Sequence, residues 1–233
     1  MTAVAVSGTT TTTLAWDAES RLKSSTVAAG TYYYSYNALG QRVAKTGPGS
    51  LSLSYTLADN AIDSPMLSDG AASYIQGGGL ISERRGSTSK FYHSDALGTT
   101  RAITNGSGTT TDSLDTDGFG MTVTGSGSTP TPFGFAGQAG YQQDSETGLA
   151  RLGHRMYDSS TGRFISRDPI QDGYNWYVYC DNDPIQNIDP EGLYRQITKD
   201  PKTGVITITI PIKFRTPRGF HPRETNDIIV IYK

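Results

Sequence analysis

An all-β fold is what this sequence predicts, and three observations carry the expectation. Helical periodicity is hard to find anywhere along the chain, and any short helical stretch is too weak to assign. Clusters of Gly, Ser, Thr and Asn recur every ten to fifteen residues or so and separate short aromatic or β-branched runs. The 14 tyrosines supply large rings that half-buried strands can pack. The 233 residues suffice for one substantial domain, with hydrophobic residues at 35% and 27 glycines.

The elements follow in order. Residues 9–13, a threonine run, and GSGSTPTP at 125–132 read as flexible linkers or exposed loops. Residues 31–36 (TYYYSY) and 52–57 (SLSYTL) read as strands, and 77–79 and 105–108 as turns. Tyr32, Tyr33, Tyr34, Tyr174, Tyr177 and Tyr179 are expected to pack along the strands and seal their ends; the alternative is an exposed recognition platform.

An internal repeat runs through this pattern: an aromatic residue, Asp or Asn, a short turn, then a basic or β-branched strand start. Its copies are WDAESRL at 16–22, YNALGQRV at 36–43, HSDALGTTR at 93–101 and YDSSTGRF at 157–164. Each reads as a hairpin. The Asp or Asn side chain bonds backbone N–H groups two residues on, a glycine takes the positive φ, and the flanking aromatic and aliphatic residues anchor the strands. Such units must stack on neighbours to bury a face.

Charge and motifs exclude several functions. With 20 Lys+Arg against 22 Asp+Glu the net charge is −2, so no nucleic-acid partner is expected. Cys180 stands alone, which rules out an internal disulfide; it reads as a packed strand residue rather than a nucleophile paired with His154. His93, His154 and His221 lack metal-ligand spacing, and there is no zincin helix, nucleophile elbow or phosphate loop, so neither metal nor cofactor is expected. No apolar run is long enough to span a membrane and no signal segment opens the chain; it reads as soluble, with its location open between the cell interior, the cell surface and secretion.

The candidate chemistry lies in two Asp-Pro pairs. Arg167, Asp168 and Pro169 precede Asp189, Pro190, Glu191, Gly192 and Leu193 by about twenty residues. Two carboxyls close enough to share a proton split their pKa values, one serving as base for water and the other as proton donor, and a guanidinium such as that of Arg167 would steady the charge. The same residues serve equally as turn initiators, which is the role read for Asp183 and Pro184.

The four copies resemble YD repeats, and residues 157–193 are similar to the core segment that accompanies Rhs repeats in bacterial polymorphic toxins and in the C components of Tc toxins, with teneurins as distant relatives. The resemblance covers roughly residues 14–193. It implies a β-hairpin strip that forms part of a spiral shell and ends in a plug: a YD-repeat region at 1–110, an Rhs-associated core at 111–193 and a short variable segment in the toxin position at 194–233. It also implies a structural role, holding or sealing a polypeptide, and one self-cleavage event by Asp168 and Asp189, with Arg167 in support, at the bond between Leu193 and Tyr194. No turnover on other substrates is expected. One departure is local: the first motif carries Gln171 where the family often has glycine. The partners implied are the chain's own C-terminal segment or an upstream or separate YD-repeat chain, with immunity and delivery proteins; open strand edges also allow self-association. A non-catalytic adhesion module is the alternative.

Composition changes after Leu193. Residues 194–233 hold eight Lys+Arg and three Asp+Glu, a net of +5, leaving −7 for the rest. Residues 205–214 and 227–232 read as strands, with Pro211 at an edge position, expected to dock on the core or on another chain. An effector role for this segment is a further alternative.

Overall fold

The computed structural model describes residues 2–5, 11–171, 174–193, 196–197, 206–212 and 226–232, with backbone only for 2–5, 11 and everything beyond 193. Its regular structure is strand throughout, interrupted by single 3-10 turns such as Gly137–Ala139 and Cys180–Asn182. Among the described residues there is no α-helix, and no helix long and apolar enough to cross a membrane.

Two antiparallel meanders make up the strip. The first holds β1 (Thr2–Ala5), β2 (Thr11–Trp16), β3 (Leu22–Val27), β4 (Gly30–Tyr36), β5 (Arg42–Gly47) and β6 (Leu51–Ser54) in sequence order. The second holds β7 (Thr56–Leu57), β8 (Met66–Ser68), β9 (Ser73–Gln76), β10 (Leu80–Arg85), β11 (Thr88–Ser94), β12 (Thr100–Asn105), β13 (Thr110–Thr116) and β14 (Thr122–Ser126). The expected strand at 52–57 is therefore two, β6 and β7, in different sheets. Residues 11–13, expected in a flexible linker or exposed loop, belong to β2. Residues 110 and 111 both lie in β13 of the second sheet, Thr110 pairing with Thr104.

The repeat is a defined turn. At Asp17, Asn37, Asp95, Asn105 and Asp117 the side-chain Oδ1 accepts the N–H groups two and four residues on, at 2.9 to 3.0 Å. The backbone N–H of the same residue donates to the carbonyl four residues on. The residue three on takes a positive φ, and it is Gly40, Gly98, Gly108 and Gly120 in four turns and Ser20, at 61°, in the first. Three of the four sequence copies share this geometry. The fourth does not: Asp158 pairs with Arg163 across a loop one residue longer, and its Oδ1 bonds only Ser160.

Every one of the five turns is followed by a β-bulge. Trp16, Tyr36, Ser94, Thr104 and Thr116 each face two residues on the next strand, the extra ones being Lys23, Val43, Arg101, Thr111 and Val123. A bulge increases local twist and bends its strand, so bulges at the same place in successive hairpins curve the strip repeatedly in one sense. They also move the inward positions: burial falls at Leu22 and Ser25, Arg42 and Lys45, Thr100 and Ile103, three apart instead of two.

A third sheet, β15 (Gln142–Asp144), β16 (Leu149–Leu152), β17 (Arg155–Asp158) and β18 (Arg163–Phe164), forms the plug. Leu149 and Met156 pack on Leu14, Leu22 and Tyr34 of the strip, while Phe135, Tyr141, Leu152, Tyr157, Phe164, Tyr179 and Cys180 make a separate core. Ions add to the first contact. Arg42 Nη1 donates to both oxygens of Asp144, at 2.9 and 3.0 Å; Lys45 Nζ lies 3.1 Å from Asp144 and 2.8 Å from Glu146; and the Tyr34 hydroxyl donates to Glu146 at 2.8 Å. Burial, with repulsion from Arg42, pushes the neighbouring Arg151 down to about 10.

The stretch expected as a flexible linker or exposed loop at 125–132 is largely exposed, and it is tethered. Gly125 and Ser126 belong to β14. Asp112 then accepts the Thr129 N–H at 2.8 Å and its hydroxyl at 2.5 Å, and the Thr131 and Tyr92 hydroxyls lie 2.6 Å apart. Replacing Asp112 with alanine is expected to release this loop, raising amide exchange at Thr129 and costing about 1–3 kcal/mol. The pH dependence has a definite sign. Burial would raise the Asp112 carboxyl, but bonds from Thr111, Thr129 and Lys90 hold it below its ordinary 3.8. Its contribution is therefore complete above about pH 4 and is lost as pH falls through the lower folded value. Exchange at Thr129 unchanged in Asp112→Ala would show the tether to be idle.

Of the tyrosines, Tyr34 and Tyr179 are buried, Tyr32 is half-buried, and Tyr33, Tyr174 and Tyr177 are exposed. Beyond the plug, β19 (Asn187–Ile188) pairs with β20 (Gln196–Ile197), and β21 (Ile206–Ile212) pairs antiparallel with β22 (Asn226–Tyr232), Pro211 facing Asp227. Both tail strands stand where the sequence puts them; their expected half-burial and docking lie outside the described residues.

Candidate active site

The two Asp-Pro turns are built alike. Asp168 Oδ1 accepts the Ile170 N–H at 2.7 Å, and its carbonyl accepts the Gln171 N–H at 3.1 Å. Asp189 Oδ1 accepts the Leu193 N–H at 3.0 Å, and its carbonyl accepts the Gly192 N–H at 3.2 Å. Gln171 and Gly192 hold equivalent places, at φ 58° and 67°. The departure from glycine at 171 thus leaves the turn intact, with a side chain in the left-handed region at a cost on the order of 1 kcal/mol. Asp183 uses its carbonyl to accept Asn187 Nδ2 at 2.9 Å and is part of neither turn.

Both carboxylates are buried, and one guanidinium stands between them. Arg155 Nη2 is 3.4 Å from Asp189 Oδ2, and Nη1 is 3.8 Å from Asp168 Oδ2. The same group donates from Nε to the Gly192 carbonyl and from Nη1 to the Trp176 carbonyl at 3.2 Å, and its Cζ lies 3.5 Å from the Phe164 ring centroid. Burial pulls Arg155 below its ordinary value, opposed by Asp168 and Asp189. Asp168 is placed by strand-like contact, its N–H donating to the Trp176 carbonyl at 3.0 Å. Asp189 is placed by a tyrosine pair: its N–H donates to the Tyr141 hydroxyl at 2.6 Å, which lies 2.9 Å from that of Tyr179. Burial pushes both phenols well above their ordinary value, so they remain protonated.

The structure brings Asp168 and Asp189 to one cation and puts Leu193, half-buried, in contact with Asp189. Arg167 is held elsewhere: it is exposed, with its guanidinium 4.3 Å from the Trp176 ring centroid. Tyr194 lies outside the described residues. Sequence reasoning missed Arg155 and Tyr141. The available signal was an arginine just before Met156 and Tyr157 at the start of the fourth repeat copy's strand; adjacency to Asp168 favoured Arg167 instead. Cys180 is buried in the aromatic core and His154 is exposed at the β16–β17 turn. Among the described residues, no three His, Cys, Asp or Glu side chains stand together as a metal site would require.

Comparison with known proteins gives a consistent picture. The family described as Teneurin YD-shell matches residues 71–201. The tRNA3(Ser)-specific nuclease WapA of Bacillus spizizenii is 33% identical over 200 residues, which cover 77% of this chain and 8% of that protein. The uncharacterised protein YibJ of Escherichia coli is 48% identical over 56 residues, 23% of this chain and 24% of that one. Among solved structures, the crystal structure of TcdB2-TccC3 superposes with a TM-score of 0.63 at 19% identity over 78% of this chain and 10% of that one. The Photorhabdus luminescens Tc holotoxin pore gives 0.60 at 19% over 87% and 11%. The chain spans about a tenth or less of the length of the nuclease and of these solved chains. A bulged hairpin strip closed by a small antiparallel plug, matched by the family over more than half its length, is a YD-shell: this chain belongs to that family.

Proposed function

We propose that the chain is the plug end of a YD-shell and that it cuts its own backbone once, at the bond between Leu193 and Tyr194, freeing the segment that follows. One observation carries this reading: the buried carboxylates of two Asp-Pro turns converge on Arg155, and Asp189 accepts the N–H of Leu193, the residue on the amino side of that bond.

In the proposed step Asp189 is the base, since it has the closer contact with Arg155. It takes a proton from water as the water oxygen adds to the Leu193 carbonyl carbon, and Arg155 offsets the charge that gathers between the carboxyls. Asp168 supplies the proton that the Tyr194 nitrogen takes up as the C–N bond breaks. The products are a Leu193 carboxylate and a Tyr194 amine. Because Asp189 lies in the segment being cut, the step occurs once per chain.

A YD-repeat chain on its amino side would complete the shell, and β1, the end strand of its sheet, offers the edge for that pairing. The released segment stands in the position of a carried polypeptide. The nuclease activity in the name of the Bacillus relative belongs to a protein of which this chain matches a small part.

Intact mass spectrometry tests the cleavage. The wild-type chain is expected to give a fragment ending at Leu193 and a peptide starting at Tyr194, whereas Asp168→Asn and Asp189→Asn stay whole, the missing carboxylate costing about 10⁴-fold or more. Uncut wild type after long incubation removes the catalytic half and leaves the structural one. Cleavage at the Asp168–Pro169 or Asp189–Pro190 bond would instead point to acid lability of Asp-Pro linkages.

A further inference from the structure

Resting on that cleavage reading, we infer that the β16–β17 turn, residues 152–155, is a backbone clamp that selects which peptide bond is presented to the carboxylates. The turn grips two successive carbonyls of the segment to be cut. The His154 N–H donates to the Glu191 carbonyl at 2.9 Å, and Arg155 Nε donates to the Gly192 carbonyl. The next carbonyl along the chain is that of Leu193. On the opposite side, the Leu193 N–H is tied to Asp189 at 3.0 Å. Three consecutive residues are thus held by hydrogen bonds from their backbones, the way an added strand is held.

Steric closeness makes the grip selective. A Cβ on Gly153 would fall well inside contact distance of the Glu191 carbonyl oxygen, and a Cβ on Gly192 would do the same against the Leu152 carbonyl oxygen. Both glycines sit at positive φ, 49° and 67°. The two backbones meet at a separation that only glycine permits, so a slide by one residue would force Glu191 or Leu193 into a slot with no room for a side chain. Gly192 therefore fixes the register and, through it, the scissile bond. Gly153 and the His154 amide are positioning groups; the chemistry stays with Asp168, Asp189 and Arg155.

Two variants and one exchange measurement test the clamp. Gly153→Ala is expected to slow cleavage about 100-fold at every pH, without moving the inflections of the pH profile, because the carboxylates keep their surroundings while the bond is displaced. Gly148→Ala is the control: φ there is 72°, with nothing within 4 Å of the added Cβ, so it carries the backbone strain without the clash and is expected to cut at the wild-type rate. Equal rates for the two variants overturn the clamp. Amide exchange at His154, measured in the uncut Asp168→Asn chain, gives a readout independent of catalysis. Protection supports the clamp, and exchange at the rate of a free loop overturns it, whether or not wild type cuts or Gly153→Ala folds. Wild type that stays whole while His154 is protected sinks the cleavage reading alone.

Discussion

Asp144→Ala is expected to lower the stability of the chain by about 3–5 kcal/mol, the typical cost of removing one partner from a buried ion pair. Arg42 is fully buried, and Asp144 accepts both of its short bonds as well as one from Lys45. Without the carboxylate, two cations remain in the interface between strip and plug, with Glu146 holding Lys45 alone. For a chain of this size the loss corresponds to a fall in Tm of roughly 6–20 °C. Arg42→Met combined with Asp144→Leu removes charge from both sides and is expected to recover most of the loss, since a buried pair replaced by apolar groups of similar volume is often neutral. Thermal melts of both variants decide the matter. A single variant that melts within 2 °C or so of wild type would mean that the interface is wetter than its burial implies.

Arg155→Met is the second substitution with a large expected effect, and it acts on fold and chemistry together. Asp168 and Asp189 would be left buried without the cation both now face. The variant is expected to lose about 3–5 kcal/mol of stability, read from denaturant unfolding, and cleavage should vanish. A variant as stable as wild type would contradict the placement of Arg155 between two charges.

Local features were legible in the sequence, and non-local ones were not. The turns at Asp17, Asn37 and Asp95 could be read because every group that builds them lies within five residues. Their bulges could not: Lys23, Val43 and Arg101 share no side-chain property, and what makes each one extra is the register of the strand opposite. For the same reason two-residue alternation fails to find Arg42 and Lys45, whose inward positions exist only because a bulge separates them. The tether of residues 127–132 depends on Asp112, a partner far enough along the chain that composition alone suggested no more than a flexible linker or exposed loop. At the site, the two aspartates announce themselves by the prolines that follow. Arg155 reaches both carboxylates only because the plug folds β17 beneath both turns.

The repeat turn carries a last implication. Its backbone bonds use a single side-chain oxygen, which Asp and Asn both possess, leaving the second atom to choose a neighbour: Arg21 for Asp17, Gln41 for Asn37, Arg101 for Asp95. Exchange of acid for amide at these corners is thus nearly invisible to the main chain and changes only the company the corner keeps. A lineage built from such corners can drift far in spelling while inheriting one shape, in keeping with a superposition that persists at 18–19% identity.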